Sequence, residues 1–109
     1  QTGMYLVEFT GHFTWGGQGN AAEYLTTSIQ VTTNNSSYTS RAEGDNAIGM
    51  AADTFTWYLG SHASFLVDVT NTSNVKVRFG VDVSNNSITT RGNTNTNLTY
   101  MTFLRLGAT

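Results

Sequence analysis

The 109-residue chain contains no cysteine, no proline and few charged side chains. The absence of cysteine excludes a disulfide framework, a thiolate zinc site and a cysteine nucleophile. Asp, Glu, Lys and Arg make up 11% of the residues, against about 25% in an average globular protein. One lysine, four dispersed arginines and a net charge of −2 leave no basic stripe to neutralise nucleic-acid phosphates. We therefore expect no nucleic-acid partner.

Long apolar segments are also missing. No run approaches the ~18 residues that a membrane-spanning helix needs, and the amino terminus shows no basic segment followed by an apolar one. We therefore expect no membrane insertion. The length suits one hydrophobic core, so the sequence predicts a single domain over residues 1–109.

The residues that are abundant predict β-structure. Thr, Asn and Ser account for 39 residues, and Thr, Val, Phe and Tyr fit the pleated surface of a strand. Apolar and polar residues alternate most clearly from Val75 to Val83. The same alternation marks Tyr5–Phe9, Leu25–Thr33, Phe55–Leu59, Phe65–Val69 and Leu98–Leu106. With two shorter candidates, Tyr38–Ala42 and Ala47–Ala51, the pattern predicts a single antiparallel β-sandwich of about eight strands, jelly-roll-like.

Two connections carry specific predictions. The polar segment Asn71–Asn74 is typical of a tight turn, so we expect the strands on either side of it to form a hairpin. The string Gly17–Ala22 matches a G-x-G-x-x-A dinucleotide fingerprint, but that fingerprint requires a helix to follow it. A strand-like segment follows instead, so we interpret this string as a loop between strands.

Catalytic chemistry has weak support in the sequence. His12 and His62 could act as general bases, oriented by an acidic residue, with Glu43, Asp45 and Asp53 as the candidates. Neither histidine lies in a nucleophile elbow or in metal-ligand spacing. We therefore predict a protein that is not an enzyme, with no catalytic residue, no metal and no cofactor.

Aromatic side chains suggest a possible ligand. An aromatic ring at a loop edge can stack on a sugar, and Trp15 borders the glycine-rich segment. Tyr58 is out of phase with its apolar neighbours, and His62 follows closely. We predict Trp15, Tyr58 and His62 as candidate glycan-binding residues. The alternative is that Trp15 closes the end of the core and Tyr58 packs against a neighbouring subunit.

The scarcity of charge also bears on assembly, because charged side chains normally keep strand edges apart. Several apolar residues, including Leu6, fall out of phase with the inward positions. Leu66, Met101 and Phe103 are therefore predicted to contact other copies or a scaffold. The closing segment has apolar residues at both parities, which indicates either a subunit contact on its outer side or a bulge that switches its phase.

The runs Phe65–Phe79 and Gly92–Gly107 resemble the carboxy-terminal half of small jelly-roll domains in structural proteins of tailed bacteriophages. Those domains are similar in outline to C1q/TNF-like sandwiches. The resemblance implies a virion surface protein that decorates and cements a capsid or forms a fibre tip. It also implies partners: copies of the same chain in a trimer or dimer, and a major capsid or fibre protein. The alternative that we retain is a secreted carbohydrate-binding or receptor-binding module.

Overall fold

A computed structural model describes residues 1–16, 22–48, 56–84 and 87–109 of the chain. These residues form an antiparallel β-sandwich without helices, which confirms the predicted fold class. Seven strands are present in the described ranges, against about eight expected. They are β1 (Gly3–Gly16), β2 (Ala22–Thr32), β3 (Thr39–Ile48), β4 (Thr56–Val69), β5 (Lys76–Val83), β6 (Ile88–Thr90) and β7 (Tyr100–Gly107).

The strands are divided between two sheets. The first sheet has the order β4-β1-β6, and β7 pairs with β1 on the same side as β6. The second sheet has the order β3-β2-β5. In the first sheet Val7 lies opposite Phe65 of β4 and Phe103 of β7. In the second sheet Ile29 lies opposite Ala42 and Phe79. The first strand is therefore central to one sheet and the second strand to the other.

The core lies between the sheets because the odd-numbered residues of β1 and β4 point inward. One cluster of buried side chains contains Val7, Phe9, Ile29 and Val67. A second cluster, toward the end of β1, contains Phe13, Trp15, Leu25 and Leu59. Even-numbered side chains of the same two strands face outward. The alternation with a period of two in the sequence therefore indicates which residues of these strands form the core.

The β3–β4 side of the sandwich is closed by polar contacts. The buried hydroxyls of Thr27 and Ser61 lie 2.7 Å apart, and Ser61 donates to the carbonyl of Gly44 at 2.6 Å. The Asn46 amide donates to the Gly60 carbonyl at 2.8 Å. A Cβ atom at position 44 would collide with the His62 carbonyl, so only glycine allows β3 to approach β4 this closely.

The predicted hairpin at Asn71–Asn74 is wrong. β4 belongs to the first sheet and β5 to the second, so this segment crosses between the sheets. The Asn71 carbonyl accepts from Val75 N at 2.8 Å, and its side chain accepts from Ser73 N at 2.8 Å. A compact polar turn can connect two strands of a hairpin or two strands in different sheets, so the local residues do not distinguish these two connections.

Several sequence features lie outside the described residues. They are residues 17–21 of the glycine-rich string, residues 49–51 of the short strand candidate, Asp53 and Phe55.

Candidate functional site

A row of leucines crosses the outer face of the first sheet. Leu6 of β1 lies directly opposite Leu66 of β4 and opposite Leu104 of β7. Leu66 and Leu104 are each about half exposed, and Leu6 between them is partly covered. Directly opposite residues have Cβ atoms about 5 Å apart, so the three side chains form one continuous apolar strip. We refer to Leu66, Leu6 and Leu104 as the leucine row.

Polar residues bound the leucine row on one side. Glu8 lies opposite Ser64 and Thr102, which makes the next row of the same face polar across all three strands. On the other side, Met4 lies opposite Asp68 and Gly107. The apolar surface is therefore concentrated near the end of the sheet where β1 begins.

The outer face of the second sheet is different in character. Thr26 donates to the Asp45 carboxylate at 2.7 Å. Arg78 donates through Nε to Gln30 Oε1 at 2.8 Å, and its guanidinium carbon lies 4.3 Å from the centre of the Tyr38 ring. These side chains satisfy one another across the strands. The sandwich thus has one polar outer face and one outer face with an exposed apolar row.

Met101 and Phe103 lie on the opposite side of β7 from the leucine row. Phe103 lies opposite the inward-facing Val7, and its ring packs edge-on against Phe79 of the second sheet with centroids 5.7 Å apart. Met101 lies opposite the inward-facing Phe9. The expectation that Met101 and Phe103 are out of phase with the inward positions is therefore wrong, whereas Leu66 on β4 faces outward as expected. Met101 and Phe103 nevertheless stay about half exposed because β7 lies at the edge of the sheet, and their contact role stays a prediction.

Trp15 is a core residue. Its exposed fraction is 0%, and it packs with Phe13, Leu25 and Leu59. The expectation that its ring is available to a sugar at a loop edge is therefore wrong, and the alternative that it closes the end of the core is the one observed. The parity that Trp15 shares with Phe9 and Phe13 is the signal that could have identified it. Among the described residues its Nε1–H has no hydrogen-bond partner.

Tyr58 and His62 do share the outer face of β4. Tyr58 is 67% exposed, and the Arg91 guanidinium lies 4.7 Å from the centre of its ring. His62 Nδ1 lies 3.0 Å from Thr10 Oγ1, and its Nε2 lies 3.9 Å from a Glu8 oxygen. Gly60 lies between Tyr58 and His62, and a Cβ there would meet open space, so the two side chains flank a bare strip of strand.

An apolar cavity of about 230 Å³ lies between the sheets where β1 begins and β4 ends. Its walls include Tyr5, Val67, Val75, Val77 and Phe103. Substrate-binding clefts are typically ~300–1,000 Å³ and carry convergent polar groups. This cavity suits a single apolar side chain or ring better than a polar substrate.

Among the described residues, the side chains of the candidate catalytic residues make no hydrogen bond or ion pair with one another. His12 and His62 lie on the first sheet, whereas Glu43 and Asp45 lie on the second, where they bond to Ser40 and Thr26.

Within residues 1–16, 22–48, 56–84 and 87–109, no group of three metal-ligating side chains is present. The same ranges contain no helix long and apolar enough to cross a bilayer.

The leucine row is the feature of this surface that the sequence reasoning identified only in part. The sequence predicts Leu66 as a contact residue, but it does not single out Leu104 in a closing segment that has apolar residues at both parities. Comparisons with known proteins assign no family: no family model, no curated protein and no solved structure matches the chain. The resemblance to phage structural proteins stays a prediction, and the geometry carries the functional argument.

Proposed function

We propose that the chain is a non-enzymatic structural subunit of a virion surface, which assembles as an oligomer and docks on a capsid or fibre through the leucine row. The observation that carries the proposal is the contrast between the two outer faces. One face is covered by hydrogen-bonded polar side chains, and the other exposes an apolar strip that nothing within the chain covers among the described residues.

Docking through the leucine row would bury surface that now faces water. Leu66 and Leu104 are about half exposed, so completing their burial contributes about 1 kcal/mol each. The polar row of Glu8, Ser64 and Thr102 would form the rim, where side chains fix orientation rather than add much affinity. An apolar centre with a polar rim is the usual anatomy of a protein interface.

Co-sedimentation with purified capsids and tail fibres of tailed phages tests the docking, and light scattering tests the oligomer. The variant carries Leu6→Thr and Leu66→Thr, since threonine keeps strand propensity and removes apolar surface. The matched control is Val81→Thr, an exposed apolar side chain on the second sheet. We expect the wild type and the control to bind one of the two particles and the double variant to lose binding. A wild-type chain that is monomeric and binds neither particle contradicts the proposal.

A second candidate function, glycan recognition, is favoured by the exposed Tyr58 ring and the bare strip beside it. Tyr58 and His62 flank Gly60 on one accessible face. A glycan array with wild type, Tyr58→Ala and the control Tyr24→Ala decides it. Signal that is lost in Tyr58→Ala alone supports this function, and no signal from the wild type rejects it.

A further inference from the structure

β7 is an edge strand with apolar side chains on both faces. Among the described residues it pairs only with β1. Half of the ten exposed large hydrophobic side chains in these ranges lie on it, namely Tyr100, Met101, Phe103, Leu104 and Leu106. Its one charged residue, Arg105, turns back on its own chain, where Nε and Nη2 donate to the Thr2 carbonyl at 3.3 Å. The strand therefore lacks the charges that normally keep an edge from pairing.

The other long edges are protected. On β4, the Gly60 carbonyl that points away from β1 accepts from Asn46 of β3. On β5, Lys76, Arg78 and Asp82 alternate along the strand. Charged side chains along an edge and contacts from a neighbouring strand are two of the devices by which proteins block unwanted pairing. β7 has neither.

The hydrogen-bond pattern identifies which backbone groups of β7 are free. His12 N donates to Thr99 Oγ1 at 3.0 Å, and the His12 carbonyl accepts from Arg91 N at 2.8 Å. His12 therefore points its backbone groups toward the β6–β7 side. Direction alternates along an antiparallel strand, so Leu6, Glu8 and Thr10 of β1 bond to the residues opposite them on β7, which are Leu104, Thr102 and Tyr100. The N–H and C=O groups of Met101, Phe103 and Arg105 consequently point outward.

We infer that two copies of the chain pair through β7, antiparallel and about a two-fold axis at Phe103, so that their first sheets join into one continuous sheet. This inference rests on the proposed function, which requires copies to meet, and it specifies the contact. In this register Phe103 lies opposite the partner's Phe103, and Met101 lies opposite the partner's Arg105. All three outward residues of each copy are then bonded, with two bonds in each of three pairs, or about six in all.

The neighbouring registers are poorer. An axis at Arg105 would place two arginines directly opposite each other, which destabilises a strand pair. An axis at Met101 would leave Arg105 without a partner residue on β7. An axis at Thr102 would place Arg105 opposite the partner's Thr99, which lies outside β7. An axis at Leu104 would place Met101 opposite the partner's Gly107, which lies opposite Met4 and therefore bonds to β1. The axis at Phe103 alone uses every outward group of the strand without opposing like charges.

The size of the exposed surface agrees with a missing partner. The chain has 6563 Å² of accessible surface, about 650 Å² more than the ~5,900 Å² expected for a monomer of this mass. Its radius of gyration is 16.2 Å, against about 13 Å for a compact chain of this length. One partner in a standard interface buries about 800 Å². The excess of about 650 Å² is thus close to the area that one partner contributes to such an interface.

Amide hydrogen exchange measured residue by residue by NMR tests the pairing directly. We expect the amides of Met101, Phe103 and Arg105 to exchange at least about 100-fold more slowly in the dimer, and to return to fast exchange on dilution. The amides of Thr102 and Leu104 are the internal control, because they bond to β1 in the monomer and should stay protected at every concentration.

Proline substitution separates edge pairing from folding. Met101→Pro removes an outward N–H and leaves the ladder with β1 intact, so we expect a folded chain whose dimer dissociation constant rises about 100-fold. Thr102→Pro removes an N–H that points toward β1, so it should lower the stability of the monomer instead.

Charge substitution tests the register and does not depend on tolerance of proline. Met101→Lys would place a cation opposite the partner's Arg105, whereas Met101→Glu would place an anion there. We expect the lysine variant to dissociate about 10-fold more readily than the glutamate variant. Val81→Lys is the matched control, since Val81 is 45% exposed and Met101 is 48% exposed, and it should leave the dimer unchanged.

The outcomes separate the two levels of the proposal. An oligomer whose amides at 101, 103 and 105 exchange fast, or in which the lysine and glutamate variants behave alike, overturns β7 pairing and leaves the proposed function standing. A monomer that still binds capsids or fibres also overturns the pairing. A monomer that binds neither overturns the proposed function as well.

Discussion

The buried hydroxyl relay at the β3–β4 side gives a quantitative prediction. Each hydroxyl has one proton, so Thr27 donates to Ser61 and Ser61 donates to the Gly44 carbonyl. Ser61→Ala removes both bonds and leaves the Thr27 hydroxyl with only the Gly44 carbonyl at 3.4 Å. A buried polar group without a good partner costs about 1–3 kcal/mol. We expect a loss of about 2 kcal/mol in the free energy of unfolding, or roughly 8 °C in Tm.

Thr27→Val has a smaller expected effect. It keeps the branched shape and leaves the 2.6 Å bond from Ser61 to Gly44 in place, so we expect a loss of about 1 kcal/mol. The double variant should lose about 1 kcal/mol less than the sum of the single losses, because the bond between the two hydroxyls is counted in both.

Urea denaturation followed by circular dichroism and tryptophan fluorescence measures all three variants. Ser64→Ala on the exposed face of β4 is the control and should change stability by less than about 0.5 kcal/mol. If Thr27→Val costs as much as Ser61→Ala, or if the two losses are additive, the relay does not have the direction assigned here.

Three further predictions follow from single positions. Gly44→Ala should destabilise the chain by at least about 3 kcal/mol, measured by thermal denaturation, because the new methyl group meets the His62 carbonyl; Gly92→Ala, in open space, is the control and should have little effect. Trp15→Phe should lower the free energy of unfolding, measured by urea denaturation, by less than Phe13→Leu does. Both substitutions remove buried apolar volume, but Trp15→Phe also removes a buried N–H that has no partner among the described residues. Arg78→Lys removes the two hydrogen bonds to Gln30 and the stacking on Tyr38. Because these contacts lie at the surface, the free energy of unfolding should fall by less than about 1 kcal/mol.

The alternation of apolar residues predicted the fold class because it reports burial directly. Val7, Phe9 and Phe13 on β1, and Leu59 and Val67 on β4, share the inward parity that the sequence indicates. The sequence carries no comparable signal for which distant strands pair with each other. Whether Asn71–Asn74 forms a hairpin or crosses between sheets depends on β5 pairing with β2, which lies more than forty residues earlier.

The leucine row was predicted only in part for a related reason. β7 carries large apolar residues at both parities, so its inward face is decided by its register with β1, where Phe103 meets Val7. Leu66 could be identified because β4 alternates cleanly around it. Leu104 could not, because its outward position follows from the alignment opposite Leu6 and not from its own neighbours.

The pairing of β1 also constrains how the chain acquires its fold during synthesis. All three strands that pair with β1 lie later in the chain, beginning at Thr56 and ending at Gly107. At about 5–20 residues per second, the ribosome takes roughly 5–20 s to add the residues between the end of β1 and the end of β7. β1 has no partner strand in its sheet until β4 is complete at Val69, and the sheet stays incomplete until β7 is made. Long-range pairing of this kind folds slowly. The nascent chain is therefore most exposed to aggregation and to chaperones before β7 is made.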